Sequence, residues 1–467
     1  MSRRPSATES AALPASVNPD TPVNLLETTL LLNRHLTDTL CEQVFQSVRD
    51  KERRREWSLY LLAKFWTAVA LVAPASLGHA LAQGRQEEGS LWPAVSTTDE
   101  GYFRRCKSLS RKFFHGLFYA FTQKLLAEAQ PLFASALAPL RDRFPAVYLI
   151  DGSRLDAMAR KLKILWNERA VVLPGCLTVV YDLFHGLARQ VLFNPDAAAS
   201  EFQRAVPLLS SLPAGSLLVG DRLYANLKLF KELAKRGLWG LFRLNGVLGY
   251  ERVHIIRRRQ VGGRAVIEEW LIRAGSGQTA PVTTLRLISF RQGKIRRDLL
   301  TNVLDPAQLP AKEALALYPL RWTIERVFLD LKKTLNLHRI YAANPNAVAM
   351  QVYGAAMVYN AFRVAQGRLA QQHGLAPEAI SPAKCFPKLA EASSQLAAAE
   401  WTLLAVRRAN KGTALNEPDL LQVPFGRTTL QAILVRKRTG RRRKRRFCAS
   451  RKRWKSLAHV SGGRKLS

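Results

Sequence analysis

Tyr318, Arg321, Glu325 and Lys332 put a phenol, a guanidinium, a carboxylate and an ammonium into one short stretch, ALYPLRWTIERVFLDLKKTLNL. Pro319 suits the first turn of a helix, where its missing N–H is no loss. From there apolar residues recur at Leu320, Ile324, Val327, Phe328, Leu331 and Leu335, the spacing of a buried helical stripe. At about 100° per residue those six span roughly 100°, and the four polar residues fall within roughly 60° of one another beside them. A carboxylate flanked by two cations and a phenol, along the edge of a buried face, can hold a metal and a phosphate backbone together. That is chemistry on nucleic acid.

Such a helix needs a scaffold to present partners to it, and the segment from about 145 supplies one. AVYLID, CLTVVYDL and RQVLFN read as strands; SEFQRAVPLLSSL reads as a helix weakened by Pro207. GSLLVGD is a strand, YANLKLFKELAKRG a helix ending at Gly237, and LWGLFRLN a strand. Three strands, helix, strand, helix, strand is an α/β pattern around a mixed sheet. Asp151 closes the run VYLI and Asp221 the run LLVG. Strand ends of α/β sheets are where ligand chemistry collects. As bland alternatives, Asp151 is a turn former, Asp221 an N-cap for the next helix, and Glu325 a surface ion-pair partner of Arg321 or Lys332.

From about 246 to 312, ERVHIIRRRQ, AVIEEWLIRAG, TTLRLISFRQG and RRDLLTNVLD read as successive strands crowded with Arg and Lys. The α/β pattern resumes over 313–385, including VAMQVYGAAMVYNAFRVAQGRL. Residues 1–23 are rich in Ser, Pro and Ala and read as disordered. Residues 24–140 read as helices, with Ser96, Thr97 or Thr98 as a cap before DEGYFRRC. Residues 386–435 read as helical, and 436–467 as a basic disordered tail with fifteen Lys or Arg and no acid.

The 467 residues carry 71 Lys plus Arg against 35 Asp plus Glu, a formal net charge of +36 and a pI near 10.7. That balance calls for a polyanionic partner, nucleic acid before an anionic membrane surface. The five cysteines, Cys41, Cys106, Cys176, Cys385 and Cys448, are far apart and include no Cys-x-x-Cys pair. A reducing compartment is expected, with neither a disulfide framework nor a zinc ribbon. The first twenty residues lack the apolar core of a signal peptide. Leu59 to Leu77 is apolar enough to be weighed as a membrane span, but a core helix is the reading for so basic a chain. The expected location is the cytoplasm, at the nucleoid. There is no P-loop, no His-Glu-x-x-His and no Gly-x-Gly-x-x-Gly, so no nucleotide cofactor is expected.

The spacing Tyr318, two residues, Arg321, three residues, Glu325, six residues, Lys332 resembles the Tyr-Arg-Glu-Lys signature of DDE transposases of the insertion-sequence-four family. DGSRL at Asp151 and GDRLYAN at Asp221 are similar to that family's first and second catalytic segments, and LLTNVLD to its last insertion strand. The resemblance covers about 145–365. It implies an RNase H-like core interrupted by a β-rich insertion, and cut-and-paste DNA transposition through a hairpin intermediate. Asp151, Asp221 and Glu325 would be the catalytic carboxylates. They would hold two Mg²⁺ ions, with Mn²⁺ as substitute. Two such ions about 4 Å apart can activate the attacking oxygen and stabilise the leaving one. Partners would be double-stranded DNA, both transposon ends and target, with a dimer in the synaptic complex and end binding by residues 24–140.

Arg321 suits a bidentate phosphate contact, Lys332 a point-charge contact, and Tyr318 a hydrogen bond to phosphate. Arg222 and Tyr224 are candidates for the DNA backbone. Trp322 is read as packing under the helix or touching DNA. Trp270, as the insertion's one Trp, is read as hairpin packing or a stacking face for a flipped base. His185 and His338 are read as satisfied histidines, and Asp156 and Asp182 as supporting or surface acids. The rival functions are an RNase H-like nuclease that cuts without joining, and a catalytically silent DNA-binding protein or transposition inhibitor.

Overall fold

The computed structural model describes residues 18, 20–23, 25–48, 55–87, 89–155, 175–196, 199–275, 282–409 and 428–435. Most of the stretch expected to be disordered at the start, Asp156, and the basic tail lie outside the described residues. Met1–Leu434 forms one compact unit and Val435–Ser467 a second, of which only Val435 is described.

VYLI becomes an interior strand of a nine-stranded sheet because its residues are apolar without a break. In strand β2 (Val147–Arg154) Val147 and Leu149 join one apolar cluster while Tyr148 and Ile150 join another on the opposite face. A strand buried on both faces reads as a continuous apolar run rather than an alternating one. β3 (Cys176–Asp182) and β4 (Leu187–Asn194) add antiparallel strands on one side; β5 (Leu217–Gly220) and β6 (Trp239–Arg243) add parallel strands on the other. This is the mixed sheet expected.

The four arginine-rich runs are strands β7 (Tyr250–Gln260), β8 (Val266–Ala274), β9 (Thr283–Gln292) and β10 (Ile295–Thr301). They extend the same sheet, in the order β4-β3-β2-β5-β6-β10-β9-β8-β7. The Asn302 side chain pins the join: it accepts from Gly240 N at 2.7 Å and donates to Leu238 O at 3.1 Å. A two-residue strand β1 (Pro22–Val23) pairs with β11 (Thr428–Thr429), so the end of the stretch expected to be disordered is ordered by a late partner.

Helices cover both faces. On one lie α1 (Leu26–His35), α2 (Asp38–Val48), α3 (Leu59–Val72), α4 (Leu77–Gln86), α5 (Asp99–Ser108) and α6 (Arg111–Glu128). Their apolar residues join one cluster with that sheet face. Thr98 caps α5, accepting from Gly101 N at 3.3 Å. On the other face lie α7 (Glu201–Leu209) and α8 (Leu227–Lys235).

The long α11 (Pro345–Gln372) runs through the first layer and packs against α3 and α6. At Gly354 a Cβ would lie 2.9 Å from the Trp66 carbonyl, so only glycine lets α11 and α3 approach this closely. Among the described residues no single helix is long and apolar enough to cross a membrane. Leu59–Val72 and Leu77–Gln86 pass that test only together, bent by 110°. Most of α3 is buried, as a core helix should be. α12 (Pro382–Ala409) begins before the expected boundary.

The signature stretch departs from the expected single helix. Its helical path begins at α9 (Ala311–Leu317), eight residues ahead of Pro319. It tightens to a 3₁₀ turn over Tyr318–Trp322, where Pro319 has no N–H to give the preceding turn. It then resumes as α10 (Thr323–Leu329) and widens to a π-helical turn over Asp330–Thr334, closed by Leu335 N to Asp330 O at 2.9 Å. Such a turn inserts an extra residue and re-aims the side chains around it. Of the expected stripe, Ile324, Val327, Phe328, Leu331 and Leu335 are buried, while Leu320 is only partly buried.

Candidate active site

β2, β5 and β6 run parallel, and their register sets the floor of the site. Leu149 pairs with Val219 and Gly220 with Phe242, so Asp151, Asp221 and Arg243 fall in one row where β5 and β6 end. β2 itself continues to Arg154, because beyond Leu149 it still pairs with β3. Asp151 is therefore inside a strand rather than at its end; the polar run Gly-Ser-Arg hides this from a pattern of apolar residues. Asp221 does not cap α8, which is capped by Asn226 through Leu229 N at 2.8 Å. It accepts instead from Leu223 N at 2.7 Å, turning the chain away from β5.

Asp151 is 17% exposed. Its carboxylate accepts from Gly152 N at 2.8 Å and from Arg321 Nη1 at 3.4 Å. Burial pushes the carboxyl up to about 6. The Gly152 N–H and the Arg321 charge oppose that rise, while the charges of Asp221 and Glu201 add to it. Arg321 is buried between two acids: its Nη2 lies 3.7 Å from Glu325, whose side chain is 47% exposed. Lys332, aimed by the π-helical turn, donates to Ser153 Oγ and Arg154 O, both at 2.6 Å. Tyr318 is half-buried; burial raises its phenol, and Arg321 and Arg243 hold it back. The signature helix is thus laced to β2 through Asp151, Ser153 and Arg154.

Of the two readings of Trp322, packing under the helix or touching DNA, the structure goes against the first. Trp322 is 56% exposed, with the Arg321 guanidinium 4.6 Å from its ring centre. Arg222 is exposed. Tyr224, expected at the DNA backbone, is 1% exposed and stacks on Phe242, so it offers a ligand no surface. Trp270 sits under Arg252 at 4.7 Å and donates to Glu268 at 3.4 Å. It is three strands away from β6, about 14 Å at usual strand spacing, and is not gathered into the site. Asp182 is buried and holds the β3–β4 turn, accepting from Phe184 N and His185 N and facing His185 Nδ1, each at 3.0 Å. His338 Nδ1 lies 2.6 Å from Lys332 O.

Three neighbours escaped the reading of the sequence. Glu201, at the start of α7, points beside Gly152: a Cβ there would lie 3.3 Å from its carboxylate. Burial raises the Glu201 carboxyl, with Arg204 opposing and Asp221 adding. Nothing in the run SEFQR marks that residue. Arg243 could have been found, since it closes a strand run in the same way as Asp221. Ser153 is unremarkable in sequence and is reached only through the fold.

Carboxylate oxygens suit a hard divalent cation. Burial, with the charges of Asp221 and Glu201 adding to it, raises the Asp151 carboxyl, and that is an electrostatic setting a cation relieves. Among the described residues, however, no three His, Cys, Asp or Glu side chains are gathered closely enough to hold a metal ion. Glu325 is turned to Arg321 instead.

Comparison with known proteins bears on this segment. The chain is similar, at 23% identity over 195 residues, to the protein named "Putative transposase y4zB" of Sinorhizobium fredii. The match covers 38% of this chain and 53% of that relative, so the chain spans about half of its length. Residues 147–361, from the start of β2 into α11, match the family model described as a transposase DDE domain, and together the two matches support a DDE transposase.

Proposed function

We propose that the protein is a metal-dependent DDE transposase with an RNase H-like core, which binds the terminal inverted repeats of its element, cuts the DNA and joins the freed 3′-OH to a target. The observation that carries this reading is the row Asp151, Asp221 and Arg243 facing a helix that brings Arg321, Glu325 and Lys332 against β2. Asp151 and Asp221, joined by Glu325, are the groups that would hold Mg²⁺ or Mn²⁺. When bound, such ions supply charge neutralisation at the phosphate and a more acidic water.

The chain's own residues do the positioning. Arg321 leaves its two carboxylates for the phosphate beside the cut, where a planar guanidinium can hold two oxygens. Lys332 neutralises the next phosphate, and Tyr318 donates a hydrogen bond from the start of the 3₁₀ turn. Trp322, exposed beside Arg321, offers a face to a DNA base. Water serves as nucleophile for nicking, and the 3′-OH for hairpin formation and strand transfer. Coordinate cutting of two ends implies a dimer in the synaptic complex, with residues 24–140 on the end sequence. The basic tail adds sequence-independent affinity.

The test is cleavage of labelled DNA carrying the element's flanking repeat, with Mg²⁺ or EDTA, by wild type and Asp151→Ala. Metal-dependent cuts at the repeat boundary, reduced in the variant by more than the ~100-fold typical of a merely supporting residue, are expected. Cleavage unaffected by Asp151→Ala would remove Asp151 from the site. Cuts without strand-transfer products would indicate a nuclease. Binding by paired ends with no cleavage would leave a silent DNA-binding protein.

A further inference from the structure

β7 differs from the rest of the sheet. It is the outer edge strand; nine of its eleven residues are exposed and none is buried. Val253 and Ile255 are among the exposed ones. A bare edge of this length invites pairing with another chain unless charge blunts it. Here Arg252, Arg257, Arg258 and Arg259 do so. Arg252 is occupied over Trp270 and Arg258 lies 3.5 Å from Glu268. Among the described residues Arg257, Arg259, Arg264, Arg291 and Lys294 have no carboxylate within ion-pair distance.

Register shows where these cations are. Arg243 pairs with Leu299, Leu299 with Ile288, Ile288 with Glu269, and Glu269 with Arg257. Arg257 therefore lies in the same row as the floor of the candidate site, about 19 Å from Arg243 across four strand spacings. From that row outward, β7–β8 and β9–β10 run side by side past the end of β6. Their turns place Arg264 and Lys294 at the same end of the sheet as Asp221.

We propose that the tips of the β7–β8 and β9–β10 hairpins form a phosphate rail that carries duplex DNA alongside the active site. The inference rests on the transposase reading and adds where the flanking duplex lies. Charge selects the occupant. A second copy pairing through β7 would bring two identical arginine rows together, whereas a phosphate backbone brings a regular line of negative charge. The acids on the neighbouring strands, Glu268, Glu269 and Asp298, are already taken by Arg258, Arg286 and Arg296, at 3.5, 3.9 and 2.6 Å.

The experiment uses the full chain and a fluorescent duplex of about 40 base pairs of arbitrary sequence, with anisotropy read between about 50 and 200 mM salt. The triple variant Arg257→Gln, Arg259→Gln, Arg264→Gln should lower the slope of log affinity against log salt by about 2–3 and weaken binding about tenfold or more. A control on α8 with equal charge loss, Lys228→Gln, Lys231→Gln, Lys235→Gln, should change the slope by less than about one. The charge-keeping triple Arg257→Lys, Arg259→Lys, Arg264→Lys should retain the wild-type slope. If the glutamine triple melts early, the pair Arg291→Gln, Lys294→Gln on the neighbouring tip carries the same comparison. Equal slopes for rail and control variants would overturn the rail and leave DNA binding, and so the transposase reading, intact. A wild type that binds no duplex would overturn both. A variant that changes only self-association, or only binding to an acidic protein, would assign the edge to protein contact and overturn the rail.

Discussion

The two halves of the nine-stranded sheet solve the problem of burial differently. From β4 to β6 the strands carry apolar side chains on both faces and lie between helix layers, and the candidate site is cut into the end of that packed block. From β10 to β7 charge enters the strands themselves, until β7 has no buried residue at all. Between these extremes, β8 and β9 bury an ion pair: Arg286 is 0% exposed and its Nε lies 3.9 Å from Glu269. The packed half can hold reactive groups in fixed geometry, because interlocked apolar side chains leave them little room to move. The charged half has surface to offer instead.

The sharpest way to break this contrast is to treat the Arg286–Glu269 pair as if it belonged to the packed half. Arg286 donates through Nη2 to Leu309 O, but its Nε and Nη1 have no hydrogen-bond partner. Arg286→Leu leaves Glu269 buried and unpaired, which should cost about 3–5 kcal/mol of unfolding free energy by denaturant titration. Adding Glu269→Leu should recover most of that loss, or exceed the wild type. If the double variant were as unstable as the single one, the pair would be a net stabiliser and the two halves would differ less than their compositions suggest.

Next in size is the strain stored at the site in the packed half. The Asp151 carboxyl titrates at about 6 in the folded chain against an ordinary 3.8. The folded state therefore binds the proton more tightly, and stability falls as pH rises from about 4 to about 6. Two units correspond to about 3 kcal/mol, reduced in practice because the substitution also takes a partner from Arg321. Asp151→Asn, which can still accept from Gly152 N, should be more stable than wild type by about 1–3 kcal/mol at pH 8 while losing cleavage. The stability gap should open between pH 4 and 6 and stay level above 7. Thermal melts showing a gap that closes as pH rises would mean that the carboxylate is not destabilised by its surroundings.

The same contrast governs what could be read from the sequence. VYLI and LLVG announce themselves because strands buried on both faces permit only apolar residues, and this places Asp151 and Asp221 almost automatically. The Tyr318–Lys332 spacing is legible because a helix repeats, although the 3₁₀ and π-helical turns that aim Arg321 and Lys332 are not. Glu201 approaches through tertiary placement of α7 and leaves no local trace. Tyr224 follows close on Asp221, a proposed catalytic group, and suggests a DNA contact, yet the turn at Asp221 rotates it onto Phe242. In the charged half, the four runs could be recognised as strands, but not as a continuation of the central sheet. That depends on the pairing of β10 with β6, which Asn302 secures across more than sixty residues of chain.

The smallest test asks how much the packed half owes to its turn chemistry. Between Asp221 and α8 the chain makes two consecutive side-chain closures: Asp221 accepts from Leu223 N, and Asn226 accepts from Leu229 N. The first orients a proposed catalytic group; the second only begins a helix. Asn226→Ala removes one acceptor for an otherwise unsatisfied N–H in the first turn, and should lower stability by about 1 kcal/mol. Cleavage per folded molecule should be unchanged, because Tyr224 and Ala225 remain buried and keep the loop in place. Serine at the same position can also cap and should recover most of the loss. If Asn226→Ala instead reduced cleavage well beyond its effect on stability, the cap would be transmitting order to Asp221, and the rigidity assigned to packing would belong in part to a hydrogen-bonded turn.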